Sequence, residues 1–145
     1  MFSSLRLQNF RIHNDSQYEF NPDTVTIIVG PNGSGKTSIL EALYMACSGG
    51  SYKASDSDVM ANTSEWARID TTSPKDDERS VKLQVKNESV IKSYVFDSVE
   101  KQRFLQTHEL PVVLFEPQDM NIIVGEPSQR RDLLDRILGI THPHY

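Results

Sequence analysis

The run TVTIIVGPNGSGKTSILEALYMACSGG, residues 24–50, constrains this chain more than any other stretch. Thr24 to Val29 is β-branched almost throughout, which predicts a central strand covered on both faces. Gly30 to Thr37 then satisfies G-x-x-x-x-G-K-[ST] in full, and from Thr37 the apolar period changes from two to 3.6. Ile39, Leu40, Leu43, Ala46 and Cys47 are expected to share one helical face, with Gly49-Gly50 stopping the helix. A strand, a glycine loop and a helix in that order are the setting a phosphate-binding loop requires.

The residue types in the loop suit one task. Gly30, Gly33 and Gly35 let successive backbone N–H groups turn inward with no Cβ in the way, and the resulting nest continues into the helix N-terminus. Amide dipoles from the loop, Pro31, Asn32 and Ser34 included, then meet the negative charge of a triphosphate. Lys36 supplies a point charge between the β- and γ-phosphates, Thr37 offers a hydroxyl to Mg2+, and Ser38 adds one near the α-phosphate. ATP with Mg2+ is the expected ligand.

Bulk properties narrow the class. The 145 residues can bury one core, as one domain or a piece of a larger one, and the net charge of −5 excludes a uniformly basic nucleic-acid coat while leaving room for a local basic face. Cys47 is the only cysteine, so no internal disulfide and no cysteine-based zinc site forms. No apolar stretch reaches the roughly 18 residues of a membrane span. A soluble cytoplasmic protein is the expectation.

Before the loop, SLRLQNF (Ser4 to Phe10) alternates like a half-buried strand, QYEF (Gln17 to Phe20) reads as its partner, and Asn14-Asp15-Ser16 as the turn between them. After the helix, EWARIDTT, SVKLQVK and SVIKSYVF read as an antiparallel meander with a short second connection and one solvated face. Val99 to His108 suggests a short helix, Pro111 to Phe115 another apolar strand, and Pro127-Ser128 the opening of a last helix. A hairpin before the loop and a meander after it favour an ABC-type ATPase head over a kinase or small GTPase. The expected fold is thus α/β, a P-loop NTPase of ABC-ATPase head type, with a mixed sheet, an antiparallel β meander and flanking helices.

LRLQNFR, VGPNGSGKTSILEALY and, above all, VVLFEPQDMNIIVGEPSQRRDLLDRIL resemble the RecF family of bacterial recombination mediators, relatives of SMC-type ATPases. The resemblance covers essentially the whole chain, although residues 56–87 match only in pattern, and Ile12 stands where the family's Phe-Arg-Asn carries its Asn. It implies an ABC-type ATPase domain that binds ATP and Mg2+, dimerises around nucleotide and binds gapped or junction DNA. Such proteins act with RecO and RecR to load RecA in DNA repair and replication restart. The sequence holds no apolar strand ending in Asp-Glu and no LSxGQ-like run, so the expectation is an N-terminal portion, residues 1–145, that binds ATP and hydrolyses it poorly. The competing readings are another SMC-like or ABC-type DNA-repair ATPase, and a P-loop phosphotransferase acting on a small molecule.

Two secondary candidates follow from the same resemblance, and the others from the residues themselves. Gln118 stands at a place similar to the Q-loop glutamine that reaches Mg2+ and the attacking water, the alternative being a polar loop residue without a role, and Arg11 resembles the family arginine that can lie near the nucleotide phosphates, the alternative being a solvated strand-end arginine. Arg130 falls in the middle of the apolar face of the last helix, made by Leu133, Leu134, Ile137 and Leu138, where a charge needs a partner. Lys53, Lys82, Lys86 and Lys92 are read either as phosphate contacts along one side of the sheet or as solubilising charges. Lys75 to Arg79 reads as a solvated loop tip, and His142 with His144 as an adventitious terminal pair.

Overall fold

The computed structural model describes residues 1–61, 63–120 and 126–141, without the side chains of 118, 120, 129, 132, 136, 137 and 139–141. His142 and His144 therefore lie outside the described residues. The chain divides into two compact units, Met1–Leu110 and Pro111–Tyr145.

The first unit is built on a six-stranded sheet of order β2-β1-β3-β4-β5-β6 in which every pairing is antiparallel. The strands are β1 (Ser4–Phe10), β2 (His13–Glu19), β3 (Trp66–Thr72), β4 (Glu78–Lys86), β5 (Ser89–Phe96) and β6 (Val99–Lys101). One face carries Leu5, Leu7, Ile69, Val81 and Leu83, which form a single core with Ile39, Ala42 and Met45 of helix α1 (Lys36–Ser48). The other face carries Arg6 paired with Asp15 and Arg68 paired with Asp70, in keeping with a solvated side.

The meander forms as its alternation predicts, and its tight connections depend on backbone geometry. Asn87-Glu88 and Asp97-Ser98 all take positive φ, between 49° and 67°, which matches the right-handed twist of the strands they join. The first hairpin differs from expectation. Its turn is Arg11-Ile12, closed by the pair Phe10 and His13, and Asn14-Asp15-Ser16 lies within β2. Arg11 at φ 53° makes the two-residue turn, and β2 is an edge strand, where polar side chains face water at no cost.

Other expectations are corrected. Thr24 to Val29 forms no strand and pairs with none among the described residues; Val25, Ile27 and Val29 are 88%, 79% and 83% exposed, and Ile28 alone of this run packs on the core. The segment Val99 to His108 is strand β6 followed by a 3-10 turn at Gln106–His108, not a helix. On α1 the buried face is Ile39, Glu41, Ala42, Met45, Ala46 and Cys47, with Leu40 about half-exposed and Glu41 wholly inside.

In the second unit, Pro111 to Phe115 forms no strand ladder among the described residues, with Val113 95% and Phe115 73% exposed, so the expected strand does not form there. A 3-10 turn spans Pro117–Met120 and helix α2 spans Pro127–Thr141. Arg130 and Leu134 are both exposed on α2, so the arginine is not a buried charge.

Candidate phosphate-binding site

Helix α1 starts at Lys36 behind Gly35, which occupies the N-cap at φ 86°. No side chain caps this terminus and no acidic residue stands in its first turn. The leading amides of an α-helix have no partner within the helix, so this end offers donors and the positive pole of the dipole to an anion. Gly33 at φ 81° turns the loop, and Gly30 through Ser34 is open to solvent. Lys36 lies back over the loop, its Nζ donating to the carbonyls of Gly30 at 2.9 Å and Pro31 at 2.6 Å. Thr37 is exposed and Ser38 half-buried on the first turn. These groups fit a polyphosphate with a bound cation: amides and an ammonium for the oxygens, and a hydroxyl beside them for the metal.

Three sets of contacts hold α1 behind the loop. At its N-terminus the imidazole of His13 meets the Gly35 carbonyl, Nε2 to O 3.3 Å. At mid-helix Arg11 grips Glu41 through two bonds, Nε to Oε2 at 3.0 Å and Nη2 to Oε1 at 2.9 Å, and also donates to the Asp58 carbonyl at 2.8 Å. The Ser51 hydroxyl donates to Glu41 Oε1 at 2.5 Å, and Lys53 Nζ lies 3.9 Å from Oε2. Burial pushes the Glu41 carboxyl up, but the bonds from Arg11 and Ser51 and the nearby cations outweigh it and hold the group below the ordinary glutamate value. The bond to Glu41 raises the Arg11 guanidinium in turn.

At the C-terminus, Gly49 closes the helix at φ 80° with its N–H on the Met45 carbonyl. Arg79 donates to the Ala46 carbonyl at 3.0 Å and to that of His108, while Lys92 Nζ at 3.1 Å and the Tyr94 hydroxyl at 2.9 Å both donate to the Gly49 carbonyl. Two cations thus stand at the negative end of the helix dipole. Burial lowers the Arg79 guanidinium and pushes the Tyr94 phenol up to about 12.

The sequence-predicted loop residues Gly30 to Ser38 therefore sit together at one helix terminus. Arg11 is directed to Glu41, and Gln118 lies in the 3-10 turn of the second unit with its side chain outside the described set. Arg79 is no solvated loop residue: its guanidinium is half-buried, 4.7 Å from the centre of the Phe96 ring. Three of the four candidate lysines are engaged with carboxylates, Lys92 with Asp56 at 2.6 Å, Lys82 with Glu100 at 3.8 Å and Lys53 with Glu41. In the sequence His13 reads only as an isolated histidine, and Glu41 carries no assignment. The one available signal was a glutamate inside an otherwise apolar helical stripe.

The family model described as AAA domain matches residues 4–142. The DNA replication and repair protein RecF of Desulforamulus reducens is 35% identical over 141 residues, covering 97% of this chain and 38% of the relative. That of Bacillus cytotoxicus is 32% identical over 145 residues, covering 99% and 38%. This chain thus spans well under half the length of the relatives it matches. Among solved structures, the recombination mediator protein RecF-ATP in the RecFOR pathway covers 99% of the chain at a TM-score of 0.75 and 23% identity, with 39% of that chain covered. The corresponding RecF-ATPrS structure covers all of it at a TM-score of 0.79 and 22% identity, with 40% of that chain covered. The fold is that of a P-loop ABC-type ATPase.

Proposed function

This chain belongs to the AAA domain family, and from that premise we propose that it is the ATP-binding part of a RecF-like recombination mediator, the N-terminal portion of an ABC-type ATPase used in DNA repair and replication. One observation carries the reading. The uncapped N-terminus of α1 stands behind Gly33 and Gly35, both at positive φ, with the Lys36 ammonium folded over the same loop. With Mg·ATP bound, Lys36 would exchange its two carbonyl acceptors for phosphate oxygens, the first-turn amides would hold the phosphates, and the Thr37 hydroxyl would be a ligand for Mg2+. Gln118 is a second candidate for the metal and its water. The two hydrogen bonds that Arg11 donates to Glu41 support a bracing role for that arginine behind the loop.

The same likeness to RecF extends the proposal to gapped or junction DNA as ligand, ATP-dependent dimerisation, RecO and RecR as partners, RecA loading and a cytoplasmic setting. Among the described residues, no helix is long and apolar enough to cross a membrane. Turnover by this chain is expected to be slow, because it carries neither an apolar strand ending in Asp-Glu nor an LSxGQ-like run.

Calorimetry of Mg·ATP binding to the chain and to Lys36→Ala, with released phosphate followed with and without gapped DNA, tests the reading. Binding that Lys36→Ala abolishes, with little turnover, is the expected result. Fast turnover indifferent to DNA would overturn it and point to a self-contained small-molecule phosphotransferase.

A further inference from the structure

We propose that His13 is a positioning residue of the phosphate loop, holding the Gly35 carbonyl so that the Lys36 amide faces the phosphates. The inference rests on the nucleotide-binding reading above and adds a residue outside the glycine motif to that site.

His13 opens β2 beside the hairpin turn and is 5% exposed. Its Nε2 lies 3.3 Å from the Gly35 carbonyl oxygen, and its Nδ1 lies 3.2 Å from Ser16 Oγ and 3.3 Å from the Tyr18 hydroxyl. A carbonyl only accepts, so in this pairing Nε2 carries the proton. Nδ1 then accepts from Ser16 or Tyr18, and a neutral ring is satisfied on both sides in one tautomer. The Tyr18 ring stands edge-on to the imidazole, with centroids 6.0 Å apart, and limits its rotation.

The Gly35 carbonyl also accepts the Ile39 N–H at 3.1 Å, the first bond of α1. It is therefore held by two donors, one from the helix and one from the hairpin. The Gly35–Lys36 peptide is planar and trans, so its C=O and N–H point in opposite directions. Fixing the oxygen toward His13 and Ile39 sends the Lys36 N–H the other way, out of the helix end and into the loop. The fit leaves no slack: a Cβ built on Gly35 would come 2.5 Å from His13 Nε2 and 2.8 Å from Ile12 Cδ1.

His13→Leu and His13→Gln in the full chain test the assignment, since glutamine can present an N–H near the place of Nε2 and leucine cannot. Mg·ATP and inorganic tripolyphosphate are titrated into each by calorimetry, and the Lys36 amide is followed by 15N NMR. His13→Leu is expected to weaken both ligands about tenfold, the value of one hydrogen bond near the upper end of the usual range, and to shift the Lys36 amide resonance. His13→Gln is expected to return both readouts toward wild type. If leucine unfolds the chain, His13→Asn, polar but too short to reach Gly35, takes its place. Wild-type affinity in the leucine or asparagine variant overturns the His13 assignment alone, as does equal weakening in glutamine and leucine. Absence of binding to the wild-type chain overturns the nucleotide reading, and the His13 inference with it.

Discussion

Glu41 is a carboxylate placed where the helical period calls for an apolar side chain, and it is charged there only because of what surrounds it. An ionised group without a partner at full burial is strongly disfavoured. Two bonds from Arg11 and one from Ser51 meet both of its oxygens, and Arg11 keeps part of its own surface in water. Removing Arg11 takes away both guanidinium bonds and leaves the buried carboxylate with Ser51 and with Lys53, 3.9 Å away, so Arg11→Ala is expected to lower stability by about 3 kcal/mol. Urea denaturation checks this. Glu41→Gln should cost less, since the guanidinium it releases can reach solvent. The pH dependence has a definite sign: the folded-state value of Glu41 lies below its ordinary one, so its contribution is complete above the ordinary glutamate value. That contribution is lost as pH falls through the depressed value. Wild-type stability should therefore decline across acidic pH more steeply than that of Glu41→Gln.

At the scale of elements, the hairpins show how much of the fold a sequence displays. The three long strands of the meander and both ends of α1 are legible, because period-two alternation, the shift to 3.6 and Gly49 are local signals. The first turn is not. Asn14-Asp15-Ser16 has turn chemistry, yet the chain reverses at Arg11-Ile12, since an exposed edge strand tolerates the polar run and Arg11 adopts the positive φ needed. The site divides the same way. Its glycine loop is contiguous and readable as a motif, whereas its supports join residues far apart: His13 to Gly35 across 22 positions, Arg11 to Glu41 across 30 and Arg79 to Ala46 across 33. Only the fold brings these together. The Asn87-Glu88 turn yields a prediction of its own. Glu88 sits at φ 64°, a conformation costing a residue with a Cβ about 1–2 kcal/mol, part of which glycine's greater unfolded-state freedom cancels. Glu88→Gly is thus expected to raise stability by about 0.5–1 kcal/mol, read as an increase in the thermal midpoint.

For the molecule as a whole, two apolar runs meet water where the sequence predicts buried strands. Val25, Ile27 and Val29 in the first unit, and Val113 and Phe115 in the second, are exposed and lie in segments with no strand ladder among the described residues. Exposed apolar, β-rich sequence outside a ladder is open to pairing with another chain. The RecF relatives are more than twice as long as this chain. Unpaired segments of this kind should drive self-association of the chain. Charge placed on them should suppress it without disturbing packing, because these side chains contribute little to either core. Val113→Lys combined with Phe115→Lys is therefore expected to lower the fraction of associated species in sedimentation velocity and to leave the melting temperature within about 2 °C, as surface substitutions usually do. A fall of many degrees would mean that Val113 and Phe115 are packed in solution, and unchanged association would place the sticky surface on Val25, Ile27 and Val29 instead.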